Sequence, residues 1–259
     1  MSEYGIMEFL ENVSVNGSSL EPLPIFHSSN SNKLELILRS KDVKPGNNSD
    51  LCFFYGTAAY FDKTQSEKTS AKRNRMPICI VFDEIDSLPI NQIAPFDTGA
   101  FRDGLYETHD IHEEECPLKH FLIRVDKDSI SKFIITFYGS NEKYLSCEPV
   151  NELGHNEFNY PVENYFKMIN EQTDNADYRK STIELQLNKP IKFDEKSPIA
   201  LVLPGFYEDS EDKMKQLNQI VPSENIRFYE YNPNKDSIRD ANKKMIDVVD
   251  KMVEEQWLK

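Results

Sequence analysis

The chain has 259 residues, 39% of them hydrophobic and 11% aromatic, enough for a sizeable core and too many for wholesale disorder. Its formal net charge of −14 repels a nucleic-acid backbone, so nucleic acid is not an expected partner. Cys52, Cys79, Cys116 and Cys147 form no CxxC pair, which fits a reducing cytosol better than a disulfide scaffold. The start, MSEYGIMEFLEN, lacks the basic residues and long apolar run of a signal peptide. No stretch approaches the ~20 apolar residues that span a bilayer. A soluble, cytoplasmic protein without a membrane partner is expected.

Residues 3–12 predict a short amphipathic helix, ended by VNGSS at 15–19. Leu23 to Phe26 reads as a strand that stops at His27, and Asn30 or Ser31 caps a helix carrying Leu34, Ile37 and Leu38. KPGNNSD at 44–50 turns the chain into a second strand, Leu51 to Tyr55. Residues 62–76 read as an exposed loop whose basic cluster, Lys68, Lys72, Arg73 and Arg75, is a solvated face. PICIVF at 77–82 is continuous, short and β-branched, the mark of a buried strand.

Residues 87–116 read as irregular. Two helical segments are expected from Lys119 to Tyr144, with Ile130, Phe133, Ile134 and Phe137 on one face of the second, and another helix from Val162 to Ile169. STIELQL at 181–187 alternates strictly, placing Ile183, Leu185 and Leu187 on one face and Thr182, Glu184 and Gln186 on a polar one. Strands follow at 199–203 and 226–231, with a short helix at 210–219 between them. A C-terminal helix from about Ser237 carries Ile238, Ala241, Met245, Val248 and Met252. The irregular mixture argues for α+β, in a single domain over 1–259 with a helical insertion at about 115–175.

The stretch IFHSSNSNKLELILRSKDVKPGNNSDLCFFYGTAAYFD at 25–62 sets a histidine and two serines after one apolar run and Tyr-Gly, then Tyr-Phe, after the next. A histidine and a hydroxyl suit a ligand offering hydroxyls and an amide. Tyr60 lies 33 residues after His27. This order resembles the nicotinamide-pocket half of ADP-ribosyltransferases of the poly(ADP-ribose) polymerase and diphtheria-toxin type. YGTAAYF resembles that family's FGxGxYF segment, except that Ala58 stands where the family carries a second glycine.

The resemblance implies a mixed, mainly antiparallel sheet of that family's type. It also implies NAD as substrate, with no metal, and ADP-ribose transfer to an acceptor, a protein for instance, or NAD hydrolysis. His27 and Ser29 would contact the ribose and amide, Tyr55, Gly56 and Tyr60 the nicotinamide side. A later-strand glutamate would stabilise the oxocarbenium-like charge. Glu184 is the first candidate for it, Glu230 in IRFYEY the second, and Arg179 would pair with a phosphate or with Glu184. A small bacterial toxin or defence effector suits the size. A non-catalytic nucleotide- or protein-binding module of the same fold is the alternative.

PFDTGAF at 95–101 resembles the catalytic turn of aspartic proteases, but only one copy is present where two aspartates must share a proton. Otherwise it reads as a turn in which Asp97 caps amides and Gly99 supplies a positive φ, or as part of the His27 cleft through Asp97. His109, His112, Cys116 and His120 would line one face if helical, but Pro117 interrupts the run and the spacing is not a zinc pattern. No phosphate loop, GxSxG elbow or HExxH is present.

Overall fold

The computed structural model describes residues 5–14, 19–46, 50–59, 66–71, 73–83, 85–153, 159–171 and 178–258. The first half of the chain runs α1 (Ile6–Asn12), β1 (Ile25–Asn30), α2 (Ser31–Ser40), β2 (Asp42–Val43), β3 (Leu51–Tyr55), β4 (Pro77–Phe82), β5 (Ile90–Ala94), α3 (Thr98–Arg102). The second half runs α4 (Lys127–Phe137), α5 (Asn141–Leu145), α6 (Tyr160–Asn170), β6 (Glu184–Leu187), β7 (Ile191–Lys192), β8 (Ala200–Pro204), α7 (Glu211–Leu217), β9 (Ile226–Tyr229), α8 (Ile238–Trp257). The fold is α+β with mostly antiparallel strand pairing. The chain divides into two compact units, Met1–Pro22 with Ile90–Gln186, and Leu23–Pro89 with Leu187–Lys259.

The second unit carries five strands in the order β3-β1-β4-β8-β9. β1 is antiparallel to β3 and β4, β4 to β8, and only β8 and β9 run parallel. β4 is buried at every position, as its unbroken β-branched run requires. β1 extends beyond the expected Phe26 because it pairs with β4 through Asn30↔Pro77, so His27 lies within a strand rather than at its end. Asn30 then caps α2, accepting from Lys33 N at 3.3 Å. α8 opens on a Ser237–Asp240 capping box and buries Ile238, Ala241, Met245, Val249, Met252 and Val253. Val249 takes the place expected of Val248.

The first unit is built on helices and aromatic rings. Phe96 stacks on Phe101 at 5.8 Å and meets Tyr106 and Phe121 edge-on, both at 5.2 Å. α4 buries Ile130, Phe133, Ile134 and Phe137, the face read from the sequence, with Asp126 as N-cap. β5 and β6 are neighbours. Residues 87–116 are not simply irregular: they contain β5 and α3. β5 begins after Pro89 and mixes polar Asn91 and Gln92 into its run, which conceals the strand period in so short a segment.

Candidate functional site

His27 sits on the central part of β1, opposite Ile80 of β4. Direct cross-strand partners share a face, and side chains two apart on a strand do too, so His27, Ser29, Ile25 and Ile80 point the same way. Phe53 of β3 completes this wall, its ring 5.1 Å from the imidazole, and Phe82 meets Phe53 edge-on at 5.6 Å. His27 is 8% exposed as a residue, and Ser29 beside it is also buried. Burial pulls the His27 pKa down to about 4, against a backbone hydrogen bond that raises it, with Lys33 adding to the lowering. His27 is therefore neutral at pH 7.

The tautomer follows from its partner. Nδ1 lies 2.9 Å from the Cys52 carbonyl oxygen, which only accepts, so Nδ1 carries the proton and donates. Nε2 is left with a lone pair that can accept a hydrogen bond.

Tyr55 ends β3, and its hydroxyl accepts from Leu23 N at 2.9 Å. Burial pushes the Tyr55 phenol up to about 12. Its ring belongs to the core, where it holds the start of β1. Gly56 follows with φ +75° and donates to Pro24 O at 2.8 Å. The left-handed conformation favours glycine at this position. Ala58, where the resembled segment has glycine, is 1% exposed. Tyr60 lies outside the described residues.

Glu184 opens β6 in the first unit, and all four residues of that strand are buried. The side expected to face a cleft is thus buried instead: Glu184 and Gln186 are 1% exposed each, as is Thr98. They are compatible with burial because they satisfy one another. Thr98 N donates to Glu184 Oε2 at 2.6 Å, and Thr98 Oγ1 to Glu184 Oε1 at 3.0 Å. Gln186 Nε2 donates to Glu184 Oε1 at 2.7 Å and to Thr98 Oγ1 at 2.5 Å. Gln92 Nε2 donates to Gln186 Oε1 at 3.2 Å. Thr98 N and Gln186 Nε2 can only donate, so this arrangement fits an ionised carboxylate.

Asp97 and Arg179 adjoin this cluster in the first unit, and Glu230 belongs to the second. Asp97 caps α3, accepting from Ala100 N at 3.0 Å, while its own amide donates to Arg179 O at 2.9 Å. Gly99 does not supply a positive φ; it lies in α3, and a Cβ there would meet Asp97 Oδ1 at 2.9 Å. Arg179 is half-buried in a 3-10 turn, Tyr178–Lys180. Glu230 is exposed just past β9, its Oε1 3.2 Å from where a Cβ on Gly205 would stand.

Glu230 does not share His27's neighbourhood. The pairings His27↔Ile80, Ile80↔Leu201 and Leu201↔Ile226 put Ile226 level with His27. Glu230 is four residues further along and three strands across, roughly 13 Å in one direction and 14 Å in the other by strand spacing.

His109, His112, Cys116 and His120 do not form a helix; His109 and His120 belong to separate 3-10 turns. His109 Nε2 pairs with Glu171 at 3.0 Å and His112 Nε2 lies 3.8 Å from Glu115. Among the described residues no group of three or more His, Cys, Asp or Glu side chains is placed to hold a metal ion. Burial pushes the thiols of Cys79 and Cys116 up, the latter to about 11, so neither supplies a thiolate at neutral pH. Among the described residues no helix is long and apolar enough to cross a membrane.

Thr98 and Gln92 were not singled out by sequence. Their local signal is a threonine beside a capping aspartate and a glutamine in a short mixed strand, and their partners lie 86 and 94 residues away. A scan of family models and searches of curated proteins and of solved structures find no match to the chain.

Proposed function

We propose that the protein is an ADP-ribosyltransferase-like NAD-binding protein that breaks the nicotinamide–ribose bond. The observation that carries this reading is the pairing of β1 and β3. It sets a neutral His27, protonated on Nδ1 and bearing a lone pair on Nε2, on the strand beside the one ending in Tyr55, which left-handed Gly56 follows. Such a histidine can accept from a ribose hydroxyl, Ser29 on the same face offers a second polar group, and Tyr60 is the residue assigned to stack on the nicotinamide ring. In the reaction the C1′–N bond breaks and nicotinamide leaves neutral with the bonding electrons. Water or an acceptor nucleophile then forms a bond to C1′ and loses its proton. The resemblance assigns the stabilisation of the cationic sugar to Glu184 and a phosphate contact to Arg179.

Incubation of the purified protein with NAD should release nicotinamide, and Glu184→Gln should lower the rate by about 100-fold or more, the scale of losing one preorganised electrostatic group. Absence of release, with no NAD-dependent rise in melting temperature, would refute both turnover and binding.

A second reading, a non-catalytic module that binds a nucleotide or a partner protein, is favoured by two observations. Ala58 places a buried methyl where the resembled segment has none, and Glu184 already has both carboxylate oxygens engaged. It predicts the melting-temperature rise without nicotinamide release.

A further inference from the structure

We propose that Thr98 is a positioning residue for Glu184 and that the PFDTGAF turn, unused by the reaction otherwise, is the device that sets the plane of that carboxylate. The catalytic consequence rests on the transferase reading; the geometry rests on the first unit alone.

One residue grips both oxygens: Thr98 N donates to Oε2 at 2.6 Å and Thr98 Oγ1 to Oε1 at 3.0 Å. Two donors on two oxygens from one rigid point fix rotation of the carboxylate as well as its distance, which a single hydrogen bond does not. Gln186 adds a third donor, and its amide orientation is set by Gln92, which donates to Gln186 Oε1 and thereby turns Gln186 Nε2 toward Glu184.

The turn that carries Thr98 is itself held on three sides. Asp97 accepts from Ala100 N, Asp97 N donates to Arg179 O just before β6, and Tyr165 Oη donates to Pro95 O at 3.3 Å. Thr98, Glu184 and Gln186 are themselves buried, which keeps the dipoles on the carboxylate out of water, where each is worth more. Asp-Thr-Gly is thus read as a carboxylate cradle. Asp97 builds the turn and Thr98 makes the grip. Gly99 leaves room beside the Asp97 carboxylate.

The test compares Thr98→Val, Thr98→Ser and wild type in NAD turnover, alongside the backbone amide NMR signal of Thr98. Thr98→Val should cut kcat by about 10- to 100-fold, as for loss of one hydrogen bond to a charged group, with KM within twofold. Thr98→Ser should restore kcat, because its hydroxyl and amide occupy the same places. Unchanged kcat in Thr98→Val, or equal loss in Thr98→Ser, would overturn the proposal.

The amide signal separates this from failure of the transferase reading. Bonded at 2.6 Å to a carboxylate, the Thr98 amide proton should lie well downfield and move upfield in Glu184→Gln. If wild type releases no nicotinamide but the signal still moves, the transferase reading falls and the grip stands on a carboxylate that does not react. A signal that does not move overturns the grip itself.

Discussion

The neutral, buried His27 makes acid sensitivity a direct consequence of the fold. Its pKa is about 4 in the folded chain and 6.5 in the unfolded one. Between those values the unfolded state binds the proton and the folded state does not, so stability must rise with pH across that window. The contribution is therefore complete above pH 6.5 and is lost as pH falls toward 4. At pH 5 the difference is about 2 kcal/mol relative to pH 8, growing to about 3 kcal/mol at pH 4 and below.

The perturbation is His27→Gln, whose amide can still donate to the Cys52 carbonyl but does not titrate. The assay is urea unfolding of both proteins from pH 8 to pH 4.5. With a slope near ~3 kcal/mol/M, the wild-type midpoint should fall by roughly 0.7 M more than that of the variant between pH 8 and 5. Comparing the two cancels the other groups that titrate there, Asp250 among them, whose carboxyl desolvation pushes up to about 6 and whose contribution has the opposite sign. Parallel midpoint curves would refute the claim that burial holds His27 neutral.

Two further substitutions test the strand pair that frames it. Tyr55→Phe removes the acceptor of the buried Leu23 amide, and should cost about 1–3 kcal/mol in chemical denaturation, since the orphaned N–H keeps its desolvation penalty. Gly56→Ala forces a Cβ into φ +75° and should destabilise by about 1–2 kcal/mol, read as a lower melting temperature. An unchanged Tm in Gly56→Ala would mean that the turn relaxes to another conformation.

Elements with an unbroken or strongly periodic apolar pattern were legible in the sequence, because burial on a defined face leaves a local record. PICIVF became β4, the 130–137 stripe became the buried face of α4, and Asn30 capped α2 as its side chain predicts. The short strand β5 and the true length of β1 were not. Both depend on partners rather than on their own residues: β1 reaches Asn30 only because Pro77 begins a strand beside it. β2 and β7, two residues each, left no periodic signal and exist through their mutual pairing.

The site shows the same limit more sharply at Glu184. Strict alternation in STIELQL correctly placed Glu184 and Gln186 on one side of a strand, because a period of two is a property of the backbone. It said nothing of what covers that side. Polarity alone suggests water or a cleft, yet a carboxylate and an amide can be buried when donors meet them, and here those donors come from Thr98 and Gln92. A polar pair on a strand should therefore be read together with every unexplained threonine-bearing turn in the chain. In this protein that joins two motifs far apart in the chain, DTG and ELQ, into one cluster. It also changes the demand on Glu184. On the transferase reading, a carboxylate held by Thr98 need not be recruited by substrate, so Glu184→Gln should lower kcat far more than it changes KM.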